Sequence, residues 1–155
     1  MRSLKLSNGV KMPQEGFGVF QIDNADTADT VKKALECGYR MIDTAAAYMN
    51  EEGVGAGIRA SGIPKDDVFI TTKIWVQDAN ETRAAKAVER SLSKLGTDYA
   101  DLVLIHQPMG DYHGAWRALE KALDEGVVRA IGVANFYPHV LMDMCLSTDV
   151  SPMVN

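Results

Sequence analysis

Cysteine and aromatic residues are scarce in this chain, and long apolar runs or runs of one charge sign are missing. Only two cysteines, Cys37 and Cys145, occur in 155 residues. They are far apart, sit in helical patterns and have no zinc-ligand spacing with His106 or His113. A disulfide framework and a structural metal site are therefore set aside, and each thiol is expected to behave as a small hydrophobe. No apolar stretch approaches the roughly 20 residues of a membrane span, and the start Met1-Arg2-Ser3-Leu4-Lys5-Leu6 is too short and polar for a signal peptide, which points to the cytoplasm. The formal net charge is −5, with Lys and Arg spread among acidic neighbours, so neither nucleic acid nor a membrane surface is an expected partner. A G-x-S-x-G nucleophile elbow and a P-loop are also absent.

What remains is an ordinary globular composition, 46% apolar and 24% charged, enough for one domain with a sizeable core. Ser3–Leu6 and Val10–Met12 flank Asn8-Gly9, a preferred tight-turn pair, and predict an N-terminal hairpin. Strand and helix signals then alternate. The predicted strands are Gly16–Val19, Met41–Asp43, Val68–Lys73, Leu102–His106, Val128–Ala134 and, more weakly, Pro152–Asn155. The predicted helices are Thr27–Cys37, Glu51–Ser61, Glu81–Leu95, Gly114–Glu125 and His139–Leu146. Ala84, Val88, Leu92 and Leu95 recur at helical spacing between a capping Asn80 and a terminating Gly96.

Such alternation makes either an open doubly wound sheet or a closed (β/α)₈ TIM barrel. After the first strand, Gly16-Phe17-Gly18-Val19-Phe20-Gln21 lacks the third glycine of a dinucleotide-binding fingerprint and does not lead directly into a helix, which favours the barrel. A complete barrel takes about 250 residues. Residues 1–155, with about six strands and five helices after the hairpin, thus read as a single α/β barrel domain lacking roughly its C-terminal third. A barrel left open would expose its inward apolar side chains and could self-associate through the open sheet edges, while the complete parent is expected to be a monomer.

Barrel enzymes place their chemistry at the C-terminal ends of strands, and three consecutive predicted strands carry polar groups there. Asp43 closes one, with Tyr48 shortly after it; Lys73 and His106 close the next two. A buried Lys73 needs a partner, and Asp43 on the adjacent strand is the nearest. A phenol's ordinary pKa of about 10 is high for a proton donor near neutrality, but a neighbouring ammonium favours the phenolate, so Tyr48 beside Lys73 is expected to be a tuned acid. His106 would hydrogen-bond a carbonyl oxygen as negative charge develops there. The implied reaction is addition to a carbonyl with protonation of its oxygen, and a reductase would need a nicotinamide cofactor.

Singly, Asp43 reads equally as a cap or structural ion-pair member, His106 as a satisfied core histidine and Tyr48 as a loop aromatic; their shared strand-end placement favours chemistry. Trp75 either lines a pocket or packs on a neighbouring loop, and Trp116, in register with Leu119 and Leu123, reads as core. Two alternatives stand beside the reductase: an inert partial barrel acting as an interaction module or fragment, and a Schiff-base enzyme using Lys73, which the pairing with Asp43 disfavours.

The segment Gly38-Tyr39-Arg40-Met41-Ile42-Asp43-Thr44-Ala45-Ala46-Ala47-Tyr48-Met49-Asn50-Glu51 closely resembles the signature of the aldo-keto reductases. Thr71-Thr72-Lys73-Ile74-Trp75, Asp98 to His106, and Gly126 to Phe136 match further segments in the family's order. The likeness spans nearly the whole chain and is to bacterial diketogluconate reductase and prostaglandin F synthase-like members. It implies a (β/α)₈ barrel that reduces an aldehyde or ketone with NADPH. By the resemblance Tyr48 donates the proton, Lys73 and Asp43 tune it, and His106 orients the carbonyl. Gly18, Val19 and Phe20 lie near the nicotinamide together with Asp43, Asn135 meets its carboxamide, and Phe20 and Trp75 wall the pocket. Three departures accompany it: Ala134 stands where the family usually has Ser, Gln107 where many relatives have Trp, and the sequence stops at Asn155, before the family's remaining cofactor-binding loops.

Overall fold

The computed structural model describes residues 2–155. In chain order come β1 (Ser3–Lys5), β2 (Lys11–Pro13), β3 (Phe17–Gly18), α1 (Asn24–Glu36), β4 (Met41–Asp43) and α2 (Glu51–Ser61). β5 (Phe69–Ile74), α3 (Glu81–Leu95), β6 (Leu102–Ile105), α4 (Tyr112–Asp124), β7 (Ile131–Val133) and α5 (Pro138–Ser147) follow. β1 and β2 pair antiparallel across the Asn8-Gly9 turn, where Gly9 at φ 93° takes a backbone conformation costly for other residues. β3 to β7 pair in parallel, in chain order, as one sheet. With its five helices this is an incomplete (β/α)₈ barrel, the α/β class that the alternating pattern implied.

β4, α2 and α3 coincide with their predicted spans. α3 begins where Asn80 Oδ1 accepts from Arg83 N at 2.8 Å and ends at Gly96, whose φ is 68°. The Val128–Ala134 run narrows to β7, with Val128 outside it in an isolated bridge to Ala100. Pro152–Asn155 does not form a sixth strand but lies along β7. Met153 N donates to Ile131 O at 3.1 Å and Val133 N to Val154 O at 2.9 Å, a contact too short for a regular ladder.

Alternation along the buried strands sends neighbouring side chains to opposite faces. On β5, Ile70 packs outward with Val31 and Leu35 of α1 and Val54 and Ile58 of α2. Phe69 points the other way and joins Leu6, Leu102, Leu104 and Ala130. This inner cluster corrects the expectation of exposed inward apolar side chains, since Phe69 and Leu104 are each only 6% exposed. The hairpin side chains Val10 and Met12 and the terminal Met153 and Val154 cover it. A larger cluster, with Trp116 fully buried at its centre, packs α3 and α4 on β6 and β7. The cysteine expectation fails: both thiols face solvent, Cys37 as the residue that caps α1 and Cys145 on α5.

α2 is wedged between its neighbours by Gly53, Gly55 and Gly57. A Cβ at Gly57 would lie 2.6 Å from the Ala28 carbonyl of α1, and one at Gly55 would run into the Leu95 carbonyl of α3. This close approach fixes where the first residues of α2, next to the strand ends, come to rest.

Candidate active site

β4, β5 and β6 end side by side, in a register that sets Asp43 beside Thr71 and Lys73 beside Leu104. Lys73 points inward and its side chain is only 9% exposed. Nζ donates to Asp43 Oδ1 at 2.6 Å and to the Thr44 carbonyl at 2.9 Å, and stands 3.5 Å from the Tyr48 hydroxyl. A carboxylate, a carbonyl and a phenol thus surround one buried ammonium, the arrangement that makes its burial tolerable.

Tyr48 reaches this point because a short helical turn, Ala46–Tyr48, follows β4 and is stopped by Met49 in a left-handed conformation at φ 58°. Its ring rests on Phe20, with centroids 4.9 Å apart, and meets His106 edge-on at 5.7 Å. Trp75 meets the other side of His106 at 5.0 Å. His106 continues inward from β6, and its Nδ1 is buried without a hydrogen-bond partner. Burial, followed by repulsion from Lys73, holds His106 below the usual imidazole value, with Asp43 opposing. An unpartnered buried N–H is the costlier orphan, so the neutral ring carries its proton on Nε2.

Phe20, Ala47, Tyr48, Trp75, His106, Gln107 and Asn135 line a cleft of about 520 Å³. Asn135 takes a left-handed backbone at φ 62° and donates from Nδ2 to the His106 carbonyl at 2.9 Å. Gly18, in register with Asp43, has open space where a Cβ would stand. The structure therefore lines one cleft with Phe20, Tyr48, Trp75, His106 and Asn135, joins Lys73 and through it Asp43 to the Tyr48 hydroxyl, and pairs Gly18 with Asp43 on the adjacent strand. Val19 differs: its side chain is buried in the outer cluster, and only its backbone faces this region, Val19 N donating to Asp43 O at 3.0 Å.

Two buried residues, Thr44 and Asn50, and the pair Glu51 and Thr72, whose Oε1 and hydroxyl are 2.7 Å apart, are not marked by any sequence motif as part of the site. The position of Asn50 and Glu51 just before and at the start of a helix was the only signal available. Among the described residues no cluster of His, Cys, Asp or Glu is placed to hold a metal ion, and no helix is long and apolar enough to cross a membrane.

Comparison with known proteins gives a consistent set of relatives. The aldo/keto reductase family matches residues 6–155. Glyoxal reductase of Bacillus subtilis is 49% identical over 155 residues, covering 99% of this chain and 56% of the relative. The 9,11-endoperoxide prostaglandin H2 reductase of Trypanosoma cruzi is 50% identical over 152 residues, covering 97% and 54%. The chain thus spans about half the length of the curated relatives it matches. A crystal structure of an aldo/keto reductase from Brucella melitensis superposes with a TM-score of 0.97 at 46% identity, covering 99% of this chain and 61% of that one. The Bombyx mori aldo-keto reductase in complex with NADP superposes at 0.93 with 32% identity, covering 99% and 57%.

Proposed function

The chain belongs to the aldo/keto reductase family, and on that premise we propose that it serves the NADPH-dependent reduction of an aldehyde or ketone to an alcohol, as one barrel domain. The observation that carries this reading is the Lys73 ammonium held between Asp43, the Thr44 carbonyl and the hydroxyl of Tyr48, which itself lines an aromatic cleft. A substrate carbonyl in that cleft would accept from His106 Nε2, which stays neutral at pH 7 and so donates without competing as a cation. As negative charge grows on the oxygen, Tyr48 gives up its proton there, and Lys73 stabilises the phenolate left behind. Asp43 holds Lys73 in place.

The residues present fit the nicotinamide end of the cofactor. Gly18 leaves room for close approach, Asn135 Oδ1 is free to accept from a carboxamide, and Phe20 and Trp75 give the cleft apolar walls. When bound, the dinucleotide supplies the hydride that the carbonyl carbon gains. The cleft wall has no arginine or lysine to meet a pyrophosphate.

Relatives with glyoxal reductase and methylglyoxal reductase in their names suggest the assay. NADPH oxidation with methylglyoxal is expected, and Tyr48→Phe should lower kcat by about a thousandfold, within the range for removing a general acid. Full activity in that variant would overturn Tyr48 as donor. Absence of both turnover and saturable NADPH binding in the parent would favour the inert partial barrel.

A further inference from the structure

Asn50 lies outside the cleft lining, is fully buried, and ties two other segments together, both amide protons going to residues 19–22 and the amide oxygen to Thr44. Oδ1 accepts from Thr44 Oγ1 at 2.7 Å, while Nδ2 donates to the Val19 carbonyl at 2.8 Å and to the Ile22 carbonyl at 3.0 Å. Each connection touches a different part of the site. The Thr44 carbonyl is the second acceptor for Lys73 Nζ. Val19 and Ile22 bracket Phe20 and Gln21, a turn held with Gln21 at φ 62°, which lays Phe20 on the Tyr48 ring. Tyr48 itself precedes Asn50 by two residues.

We propose that Asn50 is a positioning residue for the reaction proposed above, on which this inference rests: one buried amide sets the spacing of Tyr48 from Lys73 and couples it to the Phe20 wall. The Tyr48 hydroxyl is 3.5 Å from Lys73 Nζ, at the outer limit of a hydrogen bond, so a small displacement of the loop breaks the contact. An apolar residue would fill the same space at the start of α2. It would lack the direction that three hydrogen bonds impose, would leave the Thr44 hydroxyl unpaired in the interior, and would take from the Val19 and Ile22 carbonyls the shorter of their two hydrogen bonds, the longer ones coming from Ile22 N and Thr27 Oγ1. Glu51 reinforces the arrangement from the neighbouring position, accepting from Thr72 Oγ1 at 2.7 Å beside Lys73.

The test uses the full chain labelled with 3-fluorotyrosine. Its five tyrosines give separate fluorine resonances, and Tyr48→Phe identifies the one from the site. Asn50→Ala removes all three bonds but risks unfolding, so Thr44→Val is the main variant: it keeps the volume and the Thr44 carbonyl and removes only the hydroxyl that Asn50 accepts from. The expected result is a shifted or broadened Tyr48 resonance with the other four unmoved, and kcat for methylglyoxal lowered about tenfold or more, because a loosened acid costs turnover steeply. KM should change less than kcat, and Thr44→Ser should restore both the resonance and the rate. A folded Thr44→Val protein with the parent's Tyr48 resonance and kcat would overturn the proposal. If the parent turns over no carbonyl, the reductase reading fails, and the Tyr48 resonance alone still decides whether the amide positions the phenol.

Discussion

Lys73 and Asp43 meet at 2.6 Å across adjacent strands yet are buried unequally, the lysine side chain 9% exposed and the aspartate 32%. Removing either partner therefore has unequal consequences. Asp43→Ala leaves an ammonium in the interior with one carbonyl and one distant phenol, and should cost about 2–3 kcal/mol, below the figure for a fully buried pair because water reaches the site. Lys73→Met leaves a carboxylate that water can solvate, and should cost about 1 kcal/mol. Urea denaturation of both variants checks this, and equal losses would contradict it.

The stability of the fold should depend on His106 at mildly acid pH. Its folded value lies below the usual 6.5 because burial and Lys73 disfavour the cation, so on acidification the unfolded chain takes up this proton first. The stability linked to neutral His106 is fully present above pH 6.5 and is lost progressively as the pH falls toward the folded value. Melting temperatures at pH 7.5 and pH 5 should therefore differ more for the parent than for His106→Gln. An identical drop in the two proteins would show that other groups carry the dependence.

At Gly55 a methyl group has nowhere to go, since the Leu95 carbonyl is backbone and cannot rotate aside. Gly55→Ala should push α2 from α3 and cost about 3 kcal/mol. Gly62, which ends α2 at φ 71°, has open space around it, and Gly62→Ala should cost only the left-handed backbone strain of about 1 kcal/mol. Because α2 starts at Glu51, directly after Asn50, the Gly55 variant should also lose activity beyond its lowered stability, measured at a temperature where it remains folded.

At the opposite end of the barrel, Asp101 is 2% exposed and accepts from Lys65 Nζ at 2.9 Å, Arg129 at 2.7 Å and Ile70 N at 2.9 Å. Asp101→Asn keeps the shape but leaves two cations facing a neutral amide, and should cost about 2–4 kcal/mol. Carbonyl reduction should be unchanged, since Asp101 and its three partners lie at the other end of the strands. Thermal denaturation with steady-state rates separates the two effects.

The strands, helices and three polar strand ends were legible because each signal is local. A continuous apolar run marks β6 and a β-branched and aromatic run marks β5, Asn80 and Gly96 bracket α3, and Asp43, Lys73 and His106 are unusual groups at or near the close of such runs. Asn50 was not legible as a hub, since its partners Val19 and Ile22 lie 31 and 28 residues away and no pattern in the sequence pairs them. Pro152–Asn155 looked like a strand because its composition allows one; only two hydrogen bonds join it to β7, and local composition carries no record of a neighbour. The cysteines were misplaced for a similar reason. A helical pattern tells that a face is buried but less surely which residue lies at its margin, and Cys37 falls just past the end of α1.

The N-terminal hairpin has a bearing on the order of folding. Its turn and strands involve residues only a few positions apart, so it can form within microseconds. Its seat is assembled from distant chain: Leu6 rests among β5 and β6 residues, and Asn8 Nδ2 donates to the Arg129 carbonyl at 2.9 Å, a contact across 121 residues. An element among the earliest to form is thereby among the last to dock, and amide exchange in β1 and β2 should report the closing step of folding rather than its beginning.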